Sequence, residues 1–154
     1  MAKSGFRGAL NFMQDFLDHI PHRPPFLFVD RVIEEHPDRI HTQKEIHKDE
    51  GFFQGHYPGR PIMPGVLVME AVFQSGAILM SKGAGGCDDG KIPVLTRITN
   101  VKFKRAVLPG DTLDIEVKMK EVVGPAFYLA GKVRVDSKIV LTVEFSGMIV
   151  EETL

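Results

Sequence analysis

Apolar residues in the first part of the chain recur at helical spacing. Leu10, Met13, Phe16, Leu17 and Ile20 share one side and Gln14, Asp15 and Asp18 the other, which predicts a short amphipathic helix. Pro21, Pro24 and Pro25 stop it, because proline lacks the N–H that the next helical turn would use. Phe26-Leu27-Phe28-Val29 then leads into a strand running to about Glu34, and a polar turn follows over 35–38. Residues 39–46 supply a second strand, so the pair is expected to form a hairpin with a charged exposed face.

The pattern changes between Gly51 and Gly65, where four glycines and three prolines surround Phe52, Phe53, His56 and Tyr57. No helix or strand is expected to persist there. A loop of that length inside a compact domain is uncommon unless it works for its living, and Pro58, Pro61 and Pro64 stiffen it. From Pro64 to about Lys82 the residues are apolar nearly all round, the pattern of a buried central helix. Pro64 suits its first turn and Gly83 the position just past its end. Glu70 and Gln74 interrupt the apolar run one turn apart, hence on one face. A carboxylate on such a helix is costly unless it is paired or used.

Residues 83–90 (GAGGCDDG) read as a connector. The remainder is strand-like, with four strands predicted near 94–104, 112–122, 127–135 and 139–150 and a tight hairpin at Asp136-Ser137. One helix too apolar to face water, two strands before it and four after it give an α+β class, an antiparallel sheet curled around the helix. Such a single-layer sheet leaves an edge to cover, so dimerisation is a corollary.

Composition narrows the function. At 154 residues, 44% hydrophobic and 25% charged, the chain reads as one soluble domain over 1–154. A net charge of −1 argues against a general nucleic-acid binder. No stretch approaches the roughly 18 apolar residues of a membrane span, the N-terminus has no secretory apolar core, and a cytoplasmic protein is the default. Cys87 is the single cysteine, so no intrachain disulfide can form, and no zinc-binding spacing is present. His19 and His22 are three apart but lack a third ligand nearby, so they read as structural or solvated.

His56 and Glu70 together offer a base and an acid, since an imidazole can accept a proton at neutral pH and a carboxyl among apolar neighbours can hold one. The amides near Gly65 and Val66, at the positive end of the helix dipole, are suited to a carbonyl oxygen gaining charge. These are the parts needed to remove a proton beside a thioester carbonyl and expel a β-hydroxyl as water. Between Lys91 and Gly110 five basic residues, including Lys102, Lys104 and Arg105, occur without an acid. That block reads either as a docking patch for an acidic partner or as a solvated strand face.

Three strings carry a family resemblance: PHRPPFLFVDRV (21–32), GFFQGHYPGRPIMPGVLVMEAVFQ (51–74) and VKFKRAVLPGDTL (101–113). In this order they resemble the FabZ-type (3R)-hydroxyacyl-[acyl-carrier-protein] dehydratases. The resemblance implies a hot-dog fold, with the long helix as the sausage and the sheet as the bun. It places the catalytic pair on His56 and Glu70, contributed by opposite subunits of a homodimer, with trimers of dimers also known in the family. It implies that the Gly65 amide binds the thioester oxygen and that Phe53, Ile62, Met63 and Val66 wall an acyl tunnel. Gln74 is expected to orient Glu70, and Lys102, Lys104 and Arg105 to dock acyl carrier protein. No metal or redox cofactor is implied, because the substrate arrives on the carrier's phosphopantetheine arm.

Related dehydratase/isomerases carry Asp where Glu70 stands, which favours dehydration without isomerisation. Tyr57 replaces the commoner Phe, and Thr96-Arg97 replaces a small Ala-Gly pair, so Arg97 could narrow the acyl range if it faces the tunnel. A non-catalytic acyl-thioester-binding module, a thioesterase and an enoyl-coenzyme A hydratase of the same fold stay open as alternatives.

Overall fold

A computed structural model describes residues 15–83 and 90–153. Its strands are β1 (Arg31–His36), β2 (Arg39–Glu45), β3 (Lys91–Phe103), β4 (Thr112–Val123), β5 (Ala126–Val135) and β6 (Lys138–Glu151), and its helix is α1 (Gly65–Gly83). All six strands form one antiparallel sheet in the order β1-β2-β4-β5-β6-β3. The sheet curls around α1 in a hot-dog fold, as the sequence pattern and the resemblance both predicted.

The alternation in the strands explains the curl. In β2, Ile40, Thr42 and Lys44 turn inward while their neighbours face out, and in β4 Leu113, Ile115 and Val117 do the same. Helix α1 meets that face with Val68, Ala71, Val72, Ile78 and Leu79, all buried. This segment is long and apolar enough to suit a membrane span, with 19 residues and a mean hydropathy of 1.2, but 61% of the window is buried inside the domain. The apolarity is used against the sheet.

Close approach of helix and sheet requires glycine in β5. A Cβ on Gly131 would sit 2.2 Å from Val72 Cγ1 of α1, a separation that only a shift of the helix could relieve. Gly131→Ala is therefore expected to lower stability by about 1–3 kcal/mol through overpacking, read as a lower urea midpoint with an unchanged slope. At Asp136 and Ser137 both φ angles are positive, 49° and 65°, the geometry of the two-residue turn that matches strand twist.

Three local departures from the sequence reading have physical causes. Strand β1 begins at Arg31, because the backbone from Phe26 to Phe28 bonds to a side chain instead of a neighbouring strand. The Phe28 N–H donates to Gln74 Oε1 at 2.8 Å, and the Phe26 carbonyl accepts from Gln74 Nε2 at 3.1 Å. Within the glycine-proline loop, Gly51–Gln54 forms a short 3-10 helix, where Phe53 is buried and packs edge-on against Phe52 at 4.6 Å. The predicted N-terminal helix appears as a 3-10 turn at Asp15–His19. Leu10, Met13, Gln14, Cys87 and most of the predicted connector lie outside the described residues.

Candidate active site

The glycine-proline loop delivers His56. Its backbone N–H donates to the Phe52 carbonyl at 3.0 Å, and Nδ1 lies 2.7 Å from the Ile62 carbonyl. A carbonyl can only accept, so the ring proton resides on Nδ1 and Nε2 is left with its lone pair, the state a general base needs. The next residue, Tyr57, has φ of 54°, a left-handed conformation uncommon for a non-glycine residue and typical of sites held by their surroundings. The far end of the loop is pinned where the Met63 N–H donates to the Val107 carbonyl at 2.8 Å.

Helix α1 starts where the loop ends. Leu67 and Val68 donate the first backbone bonds, both to the Pro64 carbonyl, so the amides of Gly65 and Val66 have no acceptor within the helix. Val66 is 64% exposed. A Cβ on Gly65 would lie 2.7 Å from Phe103 Cε1, so glycine permits this aromatic ring to approach the helix terminus. Ile62, Met63 and Gly65 line a hollow of about 390 Å³ together with Phe103, Lys104 and Arg105. Phe53 is part of the core cluster and does not border this hollow.

Glu70 is one and a half turns along α1, its side chain 22% exposed. Gln74 is fully buried and donates from Nε2 to Glu70 Oε1 at 3.0 Å. The amide cannot be turned round, because its oxygen already accepts from the Phe28 N–H. His22 Nε2 also approaches Glu70 Oε1, at 3.5 Å. Both residues line a cavity of about 140 Å³ with Phe73, Ala77, Met80 and Leu95. The sequence reading set His22 aside as structural or solvated; the one signal for it was its place in the PHRPPF string, since nothing in its spacing connects it to a glutamate 48 positions on.

Within one chain, the Glu70 cavity does not include His56, and the hollow beside Ile62 does not include Glu70. Arg97 is exposed on β3 beyond a bulge after Leu95 and does not line the Glu70 cavity. Thr96 Oγ1 meets Ser146 Oγ at 3.0 Å. The basic residues part company: Lys104 and Arg105 border the Ile62 hollow, whereas Lys102 borders another beside Lys132 and Glu144. A further hollow of about 450 Å³, lined by His36, His41, Lys118 and Glu116, includes neither His56 nor Glu70. Among the described residues no group of three His, Cys, Asp or Glu side chains is placed to hold a metal.

Residues 20–144 match the model of the FabA-like domain. The 3-hydroxyacyl-[acyl-carrier-protein] dehydratase FabZ of Anaeromyxobacter sp. (strain K) is 42% identical over 135 residues, covering 86% of each chain. The chain belongs to the FabZ family. Another FabZ, from Caulobacter sp. (strain K31), is 41% identical over 138 residues, 89% of this chain and 85% of its own. Among solved structures, the FabZ-family fold described here is similar to the dehydratase heterocomplex ApeI:P from Xenorhabdus doucetiae, with a TM-score of 0.74 at 18% identity over 90% of this chain and 92% of that one. It is also similar to a hypothetical thioesterase with coenzyme A from Streptococcus pneumoniae TIGR4, with a TM-score of 0.60 at 11% identity over 79% and 85% of the two chains. At those identities the likeness is one of fold.

Proposed function

We propose that this FabZ-family enzyme dehydrates (3R)-3-hydroxyacyl groups carried by acyl carrier protein, giving trans-2-enoyl thioesters. His56 Nε2 takes the C2 proton, and the electron pair of that C–H bond becomes the new C2=C3 bond. The C3–O bond breaks with its own pair as Glu70 delivers a proton to the hydroxyl, which leaves as water. The Gly65 amide holds the thioester oxygen while C2 loses its proton. Atoms and charge balance without an oxidant or reductant.

One observation carries the reading: the His56 Nδ1 contact with the Ile62 carbonyl leaves Nε2 free as a base in a chain of the FabZ family. The pairing of His56 with Glu70 from a second copy of the chain is supported by the cavity that Glu70 borders within one chain, whose lining does not include His56. It is supported also by β3, a 13-residue edge strand that exposes Leu95, Ile98 and Phe103, a surface suited to strand-to-strand pairing. Ile62, Met63, Val66 and the Glu70 cavity would then wall the acyl site, with Lys104 and Arg105 at its approach to meet an acidic carrier and Lys102 further along the same chain segment.

The test is conversion of a (3R)-3-hydroxyacyl carrier-protein substrate, followed by the enoyl thioester absorbance. Conversion that needs the carrier-bound form is expected. Turnover of coenzyme A thioesters alone would reassign the partner, and a folded dimer inert on both would leave a binding module.

A further inference from the structure

His22 lies between the 3-10 turn at Asp15–His19 and β1. Arg23 donates to the carbonyls of Ile20, His22 and Leu17 at 2.8, 2.6 and 3.0 Å, which ties the backbone at His22 to the 3-10 turn before it. The ring reaches into the cavity that contains Glu70. Its Nδ1 is buried and has no hydrogen-bond partner among the described residues, while Nε2 faces Glu70 Oε1.

Burial holds His22 below its ordinary histidine value, against the opposing pull of Glu70 and with the help of the Arg23 charge. The ring is therefore neutral at neutral pH and carries one proton. On Nδ1 that proton would be buried without an acceptor; on Nε2 it points at a carboxyl oxygen. The tautomer follows from that difference. The helix and β3 residues lining the same cavity bring no further titratable group to it.

We propose that His22 is a positioning residue for Glu70: with Gln74 it keeps Oε1 as an acceptor, so that Oε2 is the oxygen carrying the proton delivered to the leaving hydroxyl. This rests on the reading of Glu70 as the acid. Gln74 Nε2 donates to Oε1 at 3.0 Å and His22 Nε2 stands 3.5 Å from the same atom, and an oxygen that accepts from the Gln74 N–H and faces a second N–H has no proton to present to them. After the transfer the same two donors face the new carboxylate. The acid and both of its positioning groups come from one chain, whichever chain supplies the base.

His22→Leu removes the N–H while filling the space, and His22→Gln restores a donor. The expected result is a fall in kcat of about 10- to 100-fold for His22→Leu, the cost of a misplaced reacting group, with KM little changed and most of the loss recovered in His22→Gln. The second arm uses the folded protein without substrate. By imidazole NMR, the neutral His22 ring of the unmodified protein should show its proton on Nε2, and that signal should move in Glu70→Gln, whose side chain offers a different partner to the same N–H. An unchanged kcat in folded His22→Leu, a loss confined to KM, or a His22 proton found on Nδ1 would each overturn the inference. If Glu70→Gln keeps full turnover, the acid reading itself fails, and the NMR arm still reports whether the two side chains are coupled.

Discussion

Glu70→Gln is expected to lower kcat for dehydration by about 10²- to 10⁴-fold, the usual contribution of a positioned general acid, the role proposed for Glu70, and to leave the fold intact. Glutamine has nearly the same volume, and its carbonyl oxygen can still accept from Gln74 Nε2, which donates to Glu70 at 3.0 Å in the parent. What it lacks is a transferable proton. His56→Ala is expected to lose activity on a similar scale by removing the base. Mixing the two inactive chains distinguishes a site shared between subunits from one within a chain. In a mixed dimer, the His56 of the Glu70→Gln chain meets the Glu70 of the His56→Ala chain, and one of the two sites is whole. Random exchange in a symmetric dimer should therefore restore about a quarter of the parental activity. A mixture that exchanges subunits and stays inactive would discard the shared site.

Lys44→Met is expected to cost the largest share of stability. Lys44 is the buried cation of β2, its side chain 9% exposed, with Nζ 3.3 Å from both Asp30 Oδ1 and Glu50 Oε1. Asp30 in turn accepts from the Glu45 N–H through Oδ2 at 2.7 Å. Methionine fits the stem of the lysine but leaves two carboxylates facing each other without their cation. Breaking such a pair on one side costs about 3–5 kcal/mol when both partners are fully buried; the partial exposure of Asp30 and Glu50 brings the expectation to about 2–4 kcal/mol. Chemical denaturation checks the magnitude. Because Glu50 immediately precedes the 3-10 helix at Gly51–Gln54, which leads into His56, kcat should fall in the same variant at temperatures where it remains folded. Loss of stability with unchanged turnover would show that the loop keeps its shape without this anchor.

The strands and the central helix were legible because each is built on a simple period. Ile40, Thr42 and Lys44 alternate inward, Asp136-Ser137 announces its turn, and the helix is apolar where the sheet encloses it. The errors came where a side chain competes for backbone groups. Gln74 takes both the N–H of Phe28 and the carbonyl of Phe26, which no hydrophobic period records, so the strand starts later than its apolar run.

The candidate site was legible in a different sense. His56 stood out by its rigid loop, and Glu70 by being a carboxylate on an apolar helix. His22 did not, because its relation to Glu70 exists only once the chain has folded. Phe53, an aromatic in the same loop, belongs to the buried core cluster, a packing role that its place in the sequence does not by itself distinguish from a pocket wall. The basic trio also reads as one patch along the chain, whereas Lys104 and Arg105, past the end of β3 at Phe103, border a different hollow from Lys102.

Strand β3 at the sheet edge also has a kinetic meaning. Among the described residues, the contacts of α1 with the sheet form within one chain, so secondary structure and core packing can return by first-order steps after denaturation. The proposed site, completed across the β3 edge, would need an encounter between two folded chains. Recovery of catalysis is then expected to lag recovery of structure, with a delay that shortens as chain concentration rises.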